Sequence, residues 1–201
     1  LVHTDFGVKI ESKNKYYHNG SKYYGYKFSN GEIFYELFQG CFIKTLTVCF
    51  RRSLLSHMPV LPNDCFKGDL FLFYELASKS KVQYFDYECG VYRQLQISAS
   101  HCVDEKSRGK VFDSYRKLDY YYACKCHIPE PIRRNLDKKW YVYDIKHYVK
   151  LYDYQKFKLL QNNVLSRKDG MIYFIFKLCM VKPLFYVVAV MVNLKACCQV
   201  R

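Results

Sequence analysis

Apolar residues recur along this chain with two periods, one suited to strands and one to helices. Leu1 to Ile10 (LVHTDFGVKI) predicts a strand, and Glu11 to Lys27 is a polar, tyrosine-rich excursion with Asn19-Gly20 as a turn signal. Ser29 followed by Glu32 is a capping-box pattern ahead of a short helix. Ile33, Phe34, Leu37 and Phe38 form its apolar stripe, and Gly40 ends it. Between Ile43 and Phe50, Leu46, Val48 and Phe50 alternate with Thr45 and Thr47, which predicts a strand leading into Arg51 and Arg52. Pro59 and Pro62 frame a loop, after which Leu70, Phe73, Leu76 and Ala77 recur with helical spacing. Lys81 to Tyr87 and Val91 to Ile97 predict two β segments joined by a turn near Gly90.

The second half reads as helical. Ser100 can cap a helix with Asp104 and Glu105 in its first turn and Val111, Phe112, Tyr115, Leu118 and Tyr122 on its apolar face. Pro129 and Pro131 stop it. Ile132 to Asn163 is again helical, and Ser166 to Gly170 breaks the pattern. Met171 to Arg201 is the most hydrophobic segment. Its longest uncharged run, Pro183 to Leu194, is shorter than the roughly 20 residues a spanning helix needs. Flanking lysines and aromatics suit an interfacial helix on an anionic membrane face, and a helix packed on the core is the alternative.

Composition narrows the partners. The 201 residues carry a formal net charge of +14 with 21 Tyr and 15 Phe, which favours nucleotides, nucleic acid or an anionic membrane. Ten cysteines without a CxxC pair or signal peptide point to a reducing, cytoplasmic setting. Cys41, Cys49, Cys65, Cys89 and Cys102 read as small core residues. Cys124, Cys126 and His127 make the one ligand-like cluster. Positions two apart on a helix diverge, so no zinc site is expected there.

Asp69 opens the helix that follows the proline-framed loop. Backbone N–H groups and the helix dipole favour a negative charge in a first turn, which suits either a plain N-terminal acid or a general base. Glu75, nearly two turns on, reads as a surface residue.

The ordered set of LVHTDF, GEIFYELFQGCFIKTLTVCFRRSLL (Gly31 to Leu55), GDLFLFYELA (Gly68 to Ala77), KVQYFDY and VYRQLQISASH resembles family 2 glycosyltransferases of the bacterial polysaccharide type. The resemblance covers about the first half of the chain. It implies an α/β fold, a partial GT-A mixed sheet followed by a C-terminal helical region. The boundaries expected are 1–101 for the acceptor-side half, 102–163 for a helical extension and 164–201 for the hydrophobic, membrane-interfacial helix.

By the same resemblance Asp69 is the base of an inverting sugar transfer, with Gly68 where the family often has a second acid. Arg93 matches the family's Tyr-Arg and would contact diphosphate or orient the acidic loop; a structural ion pair with Asp86 or Asp69 is the alternative. His101 is a candidate for diphosphate or metal, and Thr47 and Arg51, with Thr45, are weaker acceptor-side candidates. The intact enzyme is expected to use a divalent metal, Mg or Mn, a nucleotide-sugar donor and a glycan or lipid-linked acceptor. No two aspartates here are two apart, and Asp86-Tyr87-Glu88 falls after the base, the wrong order for the family's DxD. The chain is therefore expected to be a fragment lacking the donor half and inactive alone. The alternatives are a basic nucleic-acid-binding module, disfavoured by charge spread along the chain, and a non-catalytic membrane-associated scaffold.

Overall fold

The computed structural model describes residues 1–40, 42–61, 65, 68–95, 105–160, 177 and 179–199. It is a mixed α/β protein whose described elements are a three-stranded mixed sheet and six α-helices. By internal contacts the chain divides into two compact units, residues 1–103 with 110–136, and residues 104–109 with 137–201.

The first unit is built around strand β1 (Val2–Ile10). Its neighbours are β2 (Lys15–Tyr17), antiparallel, and β3 (Gln83–Gln94), parallel, giving the order β2-β1-β3. Phe6 and Val8 alternate inward from β1 and are buried. A short helix α1 (Gly20–Tyr24) follows β2, started by Asn19 in the left-handed region. Helix α2 (Gly68–Ala77) precedes β3, and α3 (Glu105–Lys125) adds its residues from Lys110 onward. Leu70, Phe73, Leu76 and Ala77 are buried as their spacing predicts, and so are Phe71, Tyr74 and Glu75. The helix is enclosed on nearly all sides rather than amphipathic.

Three local expectations are corrected. The Ser29–Gly40 segment buries Ile33, Phe34, Leu37 and Phe38 but forms only a 3-10 turn at Glu36–Phe38. Ile43 to Phe50 is not a strand. It contains a 3-10 turn, Thr45–Thr47, and a single bridge from Cys49 to Val2, because only that one residue finds a ladder partner. Gly90 is not a turn, since β3 runs through it as one continuous strand. Register shifts against Thr4, Asp5 and Gly7 absorb extra residues in β3, and a Cβ on Gly90 would lie 2.4 Å from Leu46 Cδ1. Cys65 is buried as expected, whereas Cys49 and Cys89 are exposed; Cys41 and Cys102 lie outside the described residues.

Pro131 opens a helix instead of closing one. Helix α4 (Glu130–Lys150) starts one residue before it, where a missing N–H is harmless. Tyr152, at φ 55, breaks the following segment. Asp153 then caps α5 (Tyr154–Leu159), accepting from Lys156 N–H at 3.0 Å. In the second unit Val149, Phe157, Leu160, Cys179, Phe185 and Ala189 form the core, the last two contributed by α6 (Lys182–Gln199). No helix among the described residues is long and apolar enough to cross a membrane.

Candidate functional site

Asp69 sits in the first turn of α2 and is half-buried. Its Oδ1 accepts from Leu70 N–H at 2.9 Å, which fixes the carboxylate against the helix start. Among the described residues Oδ2 takes no hydrogen bond. Residues 62–64 and 66–67 of the preceding loop, and His101, lie outside the described residues.

Arg93 leaves β3 toward the excursion after β1, where its Nε donates to Glu11 Oε1 at 2.7 Å. The guanidinium is two-thirds exposed, so one edge is held and the rest faces water. Its partner is neither Asp86 nor Asp69, the two acids that chain order brings to mind. Thr47 is buried and donates its hydroxyl to Lys44 O at 3.0 Å, closing the 3-10 turn. Arg51 is exposed where the 3-10 turn Arg52–Leu55 begins. No hydrogen bond or ion pair among the described residues joins Asp69, Arg93, Thr47 and Arg51 to one another. A concavity of about 550 Å³ in this unit is lined by Glu32, Tyr35, Ser78, Lys79, Lys81 and Cys126, among others. It lies at the C-terminal end of α2, opposite Asp69.

Two further acids of the first unit, Asp5 and Glu88, are fully engaged. Asp5, 1% exposed, accepts from Ser21 N–H and Phe6 N–H through Oδ1 and from the Ser21 hydroxyl through Oδ2, anchoring α1 to β1. Glu88 on β3 accepts from Asn19 N–H and from the Tyr16 hydroxyl and pairs with His18 Nδ1. The Asn19 bond leads in holding its carboxyl below the usual carboxylate range. The Asp86-Tyr87-Glu88 segment therefore ties the excursion to the sheet.

Glu75, read from sequence as a surface residue, is 1% exposed. It accepts from the Tyr122 hydroxyl at 2.8 Å and from Lys125, and pairs with Lys79 at 3.0 Å. Burial works against its charge, but the bonds from Lys125, Tyr122 and Lys79 prevail and lower its pKa. The same geometry is mirrored one residue back, where Tyr74 donates to buried Asp119 at 2.6 Å. Each helix thus supplies one tyrosine and one carboxylate, and the two rings stack at 4.6 Å. The missed signal was the repeat of Tyr-acid on α2 against Asp119 and Tyr122, three apart on α3.

His3 is fully buried between the rings of Phe28 and Tyr84, at centroid distances of 5.0 and 5.2 Å. Neither ring nitrogen has a hydrogen-bond partner among the described residues. Burial pushes its pKa down to about 4, only partly opposed by the Asp5 carboxylate. His3 is a neutral core residue at pH 7.

Among the described residues no group of three His, Cys, Asp or Glu side chains converges as metal ligands. These residues do not by themselves fit a divalent ion. Against models of known families, curated proteins and solved structures, the chain shows no match.

Proposed function

We propose that this chain is the acceptor-side part of an inverting glycosyltransferase of the GT-A type, with Asp69 as its general base. One observation carries the proposal: Asp69 is held by a single backbone N–H at the start of α2 and has a second oxygen without a partner among the described residues. The other buried acids of the unit, Asp5, Glu75 and Asp119, are committed to structural bonds. The ordered resemblance from LVHTDF to VYRQLQISASH supports the same assignment.

In the proposed reaction the acceptor hydroxyl oxygen attacks the anomeric carbon of the donor. The bond from that carbon to the diphosphate breaks, and the leaving nucleoside diphosphate carries away the electron pair. Asp69 takes the acceptor's proton, the step that a positioned carboxylate accelerates by about 10²–10⁴. Arg93, held at Nε by Glu11 and otherwise largely exposed, is a candidate contact for the departing diphosphate. A divalent metal would need ligands outside the described residues, so no step here is assigned to one.

The proposal places donor binding outside this sequence, so the test uses the full-length product of the locus. Incubation with a panel of nucleotide-sugars and membrane-extracted glycan acceptors, followed by mass spectrometry, should show a glycosylated product. Hydrolysis or binding of nucleic acid in place of transfer rejects the proposal.

A further inference from the structure

Helix α6 is apolar on two opposite sides. Phe185 and Ala189 are fully buried in the core of the second unit, with Val188 and Val192 packed beside them. On the outward side Leu184, Val187, Val190 and Met191 are 41, 50, 45 and 59% exposed. Their spacing of three and four residues aligns them in one stripe. Val181, 54% exposed, extends the stripe beyond the helix start. A helix that merely closes a core turns polar residues outward, so this stripe is a surface that another body covers.

Charge selects the covering body. Helix α6 contains no acidic residue, and from Tyr154 to Arg201 the sole acid is Asp169, against eight lysines and arginines. Lys182 is exposed at the helix start, beside the partly exposed Tyr186, and by its spacing from Phe185 and Ala189 falls away from the stripe. A second copy of the chain would bring like charges together. An anionic bilayer offers an apolar layer and the opposite charge at one boundary.

We propose that the outward face of α6 docks in the plane of an anionic lipid surface. Leu184, Val187, Val190 and Met191 enter the acyl boundary while Lys182 stays among the headgroups. This docking is independent of the transfer reaction and is measured without turnover.

The test is co-sedimentation of the full chain with phosphatidylcholine vesicles, with and without phosphatidylglycerol. The wild type should partition onto the phosphatidylglycerol vesicles and far less onto the neutral ones. Val187→Glu/Met191→Glu alters exposed positions, so circular dichroism should be unchanged while partitioning falls at least about tenfold. Val187→Ser/Met191→Ser adds no charge and should fall several-fold, which covers the case of a misfolded glutamate variant. Equal partitioning by the serine variant and wild type overturns the proposal. So does a wild-type dimer that the same substitutions dissolve in the absence of vesicles.

Discussion

Glu75→Ala removes the acceptor at the centre of the α2–α3 network, and the structure sets the size of the loss. The Tyr122 hydroxyl, fully buried, then lacks its charged acceptor, which costs about 1.5–3 kcal/mol. Lys79 and Lys125 are 35 and 40% exposed and can turn to water, so their ion pairs add only about 0.2–1 kcal/mol each. Lost side-chain volume adds about 1 kcal/mol. The expected destabilisation is about 3–6 kcal/mol, read from urea unfolding at pH 7 by circular dichroism and tyrosine fluorescence. Tyr122→Phe should cost about 1.5–2 kcal/mol, and the double variant should fall short of the sum by about 1–2 kcal/mol. The Glu75 pKa is lowered on folding, so its contribution is present above the unfolded carboxylate range and is lost as pH falls through the lower folded value. The gap between wild type and Glu75→Ala should accordingly close in acid. A Glu75→Ala loss under about 0.5 kcal/mol, or strict additivity with Tyr122→Phe, refutes the network as an energetic unit.

Two further substitutions test the first unit. The His3 pKa is depressed from 6.5 to about 4, so the buried neutral ring stabilises the fold above the unfolded pKa, and that stability is lost as pH falls. Between pH 7.5 and 5 the wild type should lose roughly 2 kcal/mol more than His3→Phe, and parallel pH profiles for the two would contradict this. Gly20→Ala places a Cβ 2.4 Å from the Phe6 ring and 2.7 Å from its carbonyl oxygen, and backbone cannot yield as a flexible side-chain tip does. It should cost about 1–3 kcal/mol, read as a lowered unfolding midpoint.

The elements with strong, uniform patterns were legible in the sequence. β1 is recognisable from the alternation that places Phe6, Val8 and Ile10 on one face, and α2 from the recurrence of Leu70, Phe73, Leu76 and Ala77. What failed depended on partners the sequence does not display. Alternation from Ile43 to Phe50 looks like a strand, but a strand needs a neighbour, and only Cys49 has one. Gly90 carries the composition of a turn, yet its missing side chain serves the approach of Leu46 to a continuous strand. Glu75 was misplaced because a helix enclosed on all sides has no solvent face to which an acid can be assigned. Of the candidate site, Asp69 stands where the sequence put it, at the opening of α2. Arg93 found Glu11, a partner that chain order did not suggest, because the parallel pairing of β1 and β3 brings the two strand ends together.

The role of Asp69 is tested most directly by single-turnover transfer in the full-length product, comparing wild type with Asp69→Asn. The amide keeps the size of the side chain and can still accept from Leu70 N–H, so the fold and donor binding should be preserved. If Asp69 removes the acceptor's proton, the transfer rate falls about 10²–10⁴-fold with the donor KM nearly unchanged. A rate within about threefold of wild type would show that the proton leaves by another route.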